Sequence, residues 1–223
     1  MFIIRYFLIF CHLVYDQIKV TFQMAHGAWH LAKMPKPIVT IFGSSKLPQH
    51  DIYARQAHKL AQLLTKENIS VLTGGGPGIM QAANCGAIKT EQLRNLGIGV
   101  EGIDNGANMC VQHYVNTKYF YARKWLLMRY SSAFIVFPGG FGTLDEVTEI
   151  ATLMLTKKLA RSPIILIGKE YWSPLIHWLK DFVLKHGMID ADDLKLFEVV
   201  DDLLQVINLT CSHCLSFKQA QED

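Results

Sequence analysis

The sequence predicts one doubly wound α/β domain, a Rossmann-like parallel sheet with helices on both faces, preceded by an N-terminal helical extension. Three observations predict it. Short β-rich runs recur that are apolar on both faces, as in strands buried under helices on either side. Helical patterns alternate with these runs, so the connections have the length of crossovers. Three of the runs end in glycine-rich turns, GSS at 43–45, GGGPG at 74–78 and PGGFGT at 138–143, and glycine collects where backbone bends sharply or approaches something closely.

Taken in order, residues 2–24 read as an amphipathic helix that packs on the domain or on a partner subunit. Its apolar run is broken by Arg5, His12 and Asp16, which makes it too short and too polar to span a bilayer. No small-residue cleavage site follows, which counts against a signal peptide, and contact of its exposed face with a membrane is the lesser reading. Residues 24–37 (MAHGAWHLAKMPKP) read as a connection, with Pro35 and Pro37 flanking the entry to the first strand. Strands are expected over 38–42, 69–73, 98–100, 133–137 and 164–167, with a weaker one over 197–200. Helices are expected over about 51–66, 78–90, 118–131, 143–157 and 172–186. The polar stretch 101–117 reads as a loop over the sheet edge, and residues 209–223 as a polar tail that frays. The resulting division is 1–37, a helix and connection; 38–208, the Rossmann-like α/β domain; and 209–223, the tail.

Half of the 223 residues are hydrophobic, enough for one sizeable core. The net charge of +3 is spread without a basic block, which argues against a nucleic-acid partner. Five scattered cysteines in a chain of this size point to a reducing, intracellular setting without disulfides. Cys211 and Cys214 have CxxC spacing but no second pair, so they read as incidental rather than as a metal or redox site.

In an open parallel sheet, ligands bind at the carboxyl ends of the strands. A strand end, a glycine turn and a helix start together present backbone N–H groups and a positive dipole end, the ordinary setting for phosphate. One such turn is an unremarkable connection; three on one edge point to a phosphate-bearing ligand. GxxxxGK[ST] is absent, and only GSS follows the first strand, which disfavours nucleoside triphosphates and dinucleotides. Behind the third turn stand Asp145, Glu146 and Glu149. Carboxylates in a helix's first turn suit the dipole, and that suffices for Asp145. Glu146 and Glu149 share a face, and an acid beside a phosphate suits an enzyme that breaks a bond next to it. Upstream, Arg123 has the planar fork to pair with phosphate or a ribose hydroxyl.

The GSS turn, LTGGGPGIMQAAN at 72–84, ARKWLLM at 122–128 and PGGFGTLDE at 138–146 together resemble the LOG ("Lonely Guy") family, long mislabelled as lysine decarboxylases, over residues 38–208. The resemblance implies a phosphoribohydrolase that cleaves the N-glycosidic bond of a nucleoside 5′-monophosphate, such as AMP or its N6-prenylated cytokinin form, to free base and ribose 5-phosphate. By position it implies Arg123 and Glu146 as catalytic. Gly75, Gly76, Gly139, Gly140, Gly142 and Thr143 are implied as phosphate-binding, and Ser45, Lys124 and Glu149 as further substrate contacts. It implies no cofactor, no metal, a homodimer and a cytoplasmic location. The 101–117 stretch departs from the family pattern and leaves the base open. Decarboxylation is set aside because it requires a lysine Schiff base with pyridoxal phosphate and the glycine-rich motifs hold no lysine. A non-catalytic nucleotide-sensing module and a carrier of a phosphorylated cofactor are the alternatives.

Overall fold

The computed structural model describes residues 2–88, 94–103 and 106–222, with side chains described between positions 5 and 214. Its elements run α1 (Phe2–Lys33), β1 (Ile38–Phe42), α2 (Ile52–Lys66), β2 (Ser70–Thr73), α3 (Ile79–Gly86), β3 (Asn95–Val100), β4 (His113–Thr117), α4 (Phe120–Arg129), β5 (Ala133–Val136), α5 (Phe141–Leu155), β6 (Ile164–Ile167), α6 (Lys169–Trp178), β7 (Phe197–Val200) and α7 (Leu203–Glu222). A π-helical segment, Leu179–Leu184, continues α6. The last two positions of the helix expected over 78–90, and residues 104 and 105 of the expected loop, lie outside the described residues.

All seven strands pair in parallel in the order β4-β3-β2-β1-β5-β6-β7. The chain therefore winds outward from β1 in one direction, returns to β5, and winds outward in the other. Between β1 and β5 the successive connections leave for opposite faces, which opens a crevice at their carboxyl ends. Alternate strand residues feed two cores. Ile38, Phe42, Phe134 and Val136 pack with α4 and α5; Val39, Ile41, Ile135 and Phe137 pack with α2, α3 and Val206 of α7. Each face is sealed, so the ends of the strands are left for ligand.

Three expectations are corrected here. The stretch 101–117 is not one loop, because 113–117 forms edge strand β4, in which only Val115 and Thr117 are buried. A strand buried at two positions of five carries polar residues (HYVNT), and so lacks the apolar run that marks its neighbours. The connection expected at 24–37 is helical through Lys33. Gly27 is not a breaker there: a Cβ on it would lie 2.6 Å from Leu126 Cδ1, so the glycine lets α1 settle onto α4. Helix α7 runs through the expected boundary at 208 to Glu222, capped by Asp202, whose carboxylate accepts from Leu204 N at 3.1 Å and Gln205 N at 3.3 Å. Thr210 and Cys214 are buried on it.

The expectation of unpaired cysteines fails as well. Cys85 on α3 and Cys110, ahead of β4, form a disulfide with their Cα atoms 4.8 Å apart, within the range such bonds span. Two residues separated by 25 positions meet only because the 106–112 segment folds back onto α3, an encounter no spacing announces. Cross-linking a loop of this length limits the unfolded chain by about 3 kcal/mol. Cys85→Ser is therefore expected to lower the Tm of the oxidised protein by several degrees. Thiol titration of the unreduced, denatured protein checks the premise: five reactive thiols instead of three would refute it.

Candidate active site

The three glycine turns are tied into one structure through Ser44. Its N–H donates to Pro138 O at 3.0 Å, and its carbonyl accepts from Ile79 N at 3.0 Å. Gly43 allows this, since a Cβ there would lie 2.8 Å from the Ile79 side chain. Gly78, the residue before α3, has φ +68° and packs against the Ser44 carbonyl, a left-handed position that suits glycine. The result is a cavity of ≈ 400 Å³ at the crevice between β1 and β5, whose floor and walls include Gly43, Ser45, Arg123, Gly140, Thr143 and Glu146. A recess of ≈ 630 Å³ near Arg129 and Leu196 is larger, but it sits at the amino-terminal edge of the sheet with none of these turns. Size does not decide; the convergence of helix starts does.

Helix α5 opens at Phe141 with Gly140 as its N-cap and no side-chain cap. Its first intrahelical bond is Leu144 N to Gly140 O at 3.0 Å, so the N–H groups of residues 141–143 have no partner within the helix. A Cβ on Gly140 or Gly142 would meet nothing within 4 Å; both border open space. Gly139 has a different task. Its Cβ would fall 2.1 Å from Thr143 Oγ1, so its bareness seats the buried Thr143.

Glu146 lies one turn into α5 and is buried, with Oε1 3.9 Å from Arg123 Nη2. Burial pushes its carboxyl up to about 7, against the pull of the Arg123 guanidinium. Arg123 is held from two sides: its Nε donates to Ile98 O at 3.0 Å, and its fork lies over Gly74, where a Cβ would come within 2.1 Å of Nη2. Asp145, next in sequence to Glu146, points away and pairs with Lys124 at 3.1 Å.

Ser45 lines the cavity, as do Arg123, Glu146, Gly140, Gly142 and Thr143. Lys124 and Glu149 do not; they pair with each other at 2.6 Å beside Asp145. Gly75 and Gly76 lie behind the lining, where the Asn108 amide donates to both of their carbonyls at 3.0 Å. Sequence reasoning missed Gly74, the first of its run, because nothing in a glycine triplet says which member an arginine crosses. It also missed the apolar wall of Met80, Ile103, Phe120 and Phe141, for which spacing carries no signal. Lys46 requires a correction: it follows the GSS turn directly and lines the cavity, so the cavity does hold a lysine. It is exposed, whereas a Schiff-base lysine is kept desolvated so that its amine stays neutral. These residues do not fit pyridoxal phosphate.

Fold and site together define an α/β protein with a glycine-walled crevice at its topological switch point, an uncapped helix start in it and a buried acid beside it. The family model described as "Possible lysine decarboxylase" matches residues 80–209, more than half of the chain. The chain belongs to this family, whose LOG-type members its motifs resemble. A relative from rice (Oryza sativa subsp. japonica), named "Probable cytokinin riboside 5′-monophosphate phosphoribohydrolase", is 29% identical over 163 residues, covering 68% of this chain and 62% of its own length. The "Pyrimidine/purine nucleotide 5′-monophosphate nucleosidase" of Escherichia coli K12 is 25% identical over 189 residues. The match takes in 80% of this chain but only 41% of that protein. Among solved structures, the molybdenum cofactor binding protein of Rippkaea orientalis superposes with a TM-score of 0.60 at 24% identity, over 80% of this chain and 98% of that one. At that identity the likeness concerns the fold.

Proposed function

We propose that the protein is a nucleoside 5′-monophosphate phosphoribohydrolase. It adds water across the N-glycosidic bond of AMP or an N6-prenylated AMP, releasing the free base and ribose 5-phosphate. The observation that carries this reading is one cavity holding both an uncapped helix start and a buried carboxylate. The 5′-phosphate binds at the start of α5, where Gly140 and Gly142 leave the backbone N–H groups uncovered. Glu146 then stands within a sugar's length of that phosphate. As the bond from C1′ to the base nitrogen breaks, positive charge develops on the ribose and the bonding electrons leave with the base. The Glu146 carboxylate offsets that charge or takes a proton from the attacking water, and either role needs its ionised form. Arg123 orients the carboxylate from 3.9 Å and reaches a ribose hydroxyl or the phosphate.

Two consequences are measurable. With its carboxyl raised to about 7, the ionised form of Glu146 increases through neutrality, so kcat/KM is expected to rise with pH and level off above about 7 to 8. A flat profile between pH 5.5 and 8.5 would contradict this. Secondly, AMP should be cleaved and adenosine should not, because the nucleoside gives the helix start nothing to hold. Equal rates on the two would sink the phosphate-site reading. Release of free adenine from AMP also separates the enzyme from a nucleotide-sensing module or a cofactor carrier, neither of which turns substrate over.

The finer parts of the proposal are a role in cytokinin formation, a homodimer and a cytoplasmic location. Supporting them are the LOG-type motifs and, among the described residues, the absence of any helix long and apolar enough to cross a membrane. The Cys85–Cys110 disulfide weighs against the cytoplasm, where thiol reductants oppose such bonds.

A further inference from the structure

Helix α1 is attached to the domain by a mixed stripe, in which Val20 and Leu31 are buried beside three polar anchors. Asp16, 5% exposed, pairs with Lys118 and accepts from Tyr119 Oη at 2.9 Å. Lys19 pairs with Glu101 at 3.0 Å, and the Gln23 amide donates to the same carboxylate at 2.9 Å. Positions 16, 19 and 23 form one stripe of the helix. The opposite side is apolar and faces out: Phe7, Val14, Ile18, Phe22 and Trp29, spaced to lie along one line, are 41–72% exposed. The helix thus carries a second apolar stripe besides the one that meets the core, where an ordinary surface helix carries a polar face.

The N-terminal part goes further. Every described side chain from Arg5 to Tyr15 is exposed, and apolar residues surround the helix there, so about 16 Å of it overhangs the domain at 1.5 Å per residue. A helix apolar all round requires cover on more than one side. A bilayer surface covers one side and needs a basic face opposite, whereas this overhang carries only Arg5 and His12 as basic side chains. Among the described side chains of α1, eleven large apolar ones are exposed; at roughly 100 Å² each they offer on the order of 1,000 Å², about what one partner contributes to a stable interface. Next to α1 lies a groove of ≈ 360 Å³ lined by Met24, Tyr121, Trp125, Met128 and Leu153. A second copy of the chain supplies a groove and an overhang at once, and a two-fold axis lets each satisfy the other.

We propose that the outer face of α1 is the surface through which two copies of this protein associate, the overhang of each covering the α1–α4–α5 groove of the other. This rests on the homodimer of the functional reading but not on its chemistry. The test is sedimentation of the full chain and of Ile18→Glu/Phe22→Glu at micromolar concentration, with far-UV circular dichroism to confirm folding. The two side chains are 52% and 72% exposed, so the isolated fold tolerates the change. Phe7→Glu/Val14→Glu, in the overhang, is the second variant. The expected result is a dimer for the parent and folded monomers for both variants. A dimer that persists in both variants would overturn the assigned face while leaving the homodimer intact. A monomeric parent would overturn both. A monomeric parent that floats with anionic phospholipid vesicles would reassign the face to lipid.

Discussion

Glu146→Gln is expected to slow AMP cleavage by a factor on the order of a hundred or more, and to make the protein more stable at pH 8. The first effect follows because glutamine keeps the size and the hydrogen-bonding reach but has neither the charge nor the basicity. Monophosphate binding should persist or tighten, since a carboxylate no longer faces the phosphate. The stability effect has a definite sign. Burial raises the Glu146 carboxyl from 4.5 to about 7, so between those values the folded state keeps a proton that the unfolded chain has released. Stability therefore falls as pH rises through that window, and above about 7 the full penalty is present, about 3 kcal/mol. Glutamine does not incur it, so the gain in Tm over the parent should be large at pH 8 and vanish near pH 4.5. Asp145→Asn is the control. Its carboxylate pairs with Lys124 outside the cavity, and its loss should leave turnover near normal. The assignment fails if Glu146→Gln turns over normally, or if Asp145→Asn is the more damaging change.

Gly74→Ala is expected to reduce kcat at least tenfold with little change in Tm. The added methyl would lie 2.1 Å from Arg123 Nη2 and 2.7 Å from Met80 Sδ. Both are ends of flexible side chains that move instead of unfolding the turn, but the guanidinium then loses its position over Glu146. Displacing an aligned group by an ångström is costly in rate and cheap in stability. The neighbouring substitution should do the opposite. Gly75 has φ +73°, and its Cβ would press on the Tyr114 ring at 2.6 Å and the Gly97 backbone at 3.2 Å, so Gly75→Ala should cost roughly 1–2 kcal/mol in backbone strain alone. Adding Gly74→Ala to Arg123→Ala should do little further harm, because the arginine is the group the methyl meets most closely, at 2.1 Å against 2.7 Å for the flexible Met80. Further loss of rate in that double variant would show that Gly74 acts some other way.

How much of this was legible beforehand differs by element. The five central strands were readable because burial on both faces requires apolar residues throughout, leaving a dense local signal. Edge strand β4 was not, since solvent on one side admits polar residues and the run reads as loop. Glu146 was separable from Asp145 only as far as helical geometry allows, with about 100° between neighbours; the direction of the cavity relative to those two vectors is a fact of packing. Lys124 and Glu149 illustrate the opposite case. Charged and close to the motif, they invited a ligand role, and in the folded chain they pair with each other.

What the sequence by itself determined is the order of buried strands, the glycine turns at their ends and the acid behind the last turn, because each depends on residues near one another along the chain. Tertiary structure alone decided that the three turns meet through Ser44, that Gly74 is crossed by Arg123, that Cys85 reaches Cys110, and that α1 anchors Asp16 on Lys118 while leaving an apolar stripe outside. Each of these joins segments distant in sequence, and the energy that brings them together comes from cores formed by the whole sheet rather than from either partner.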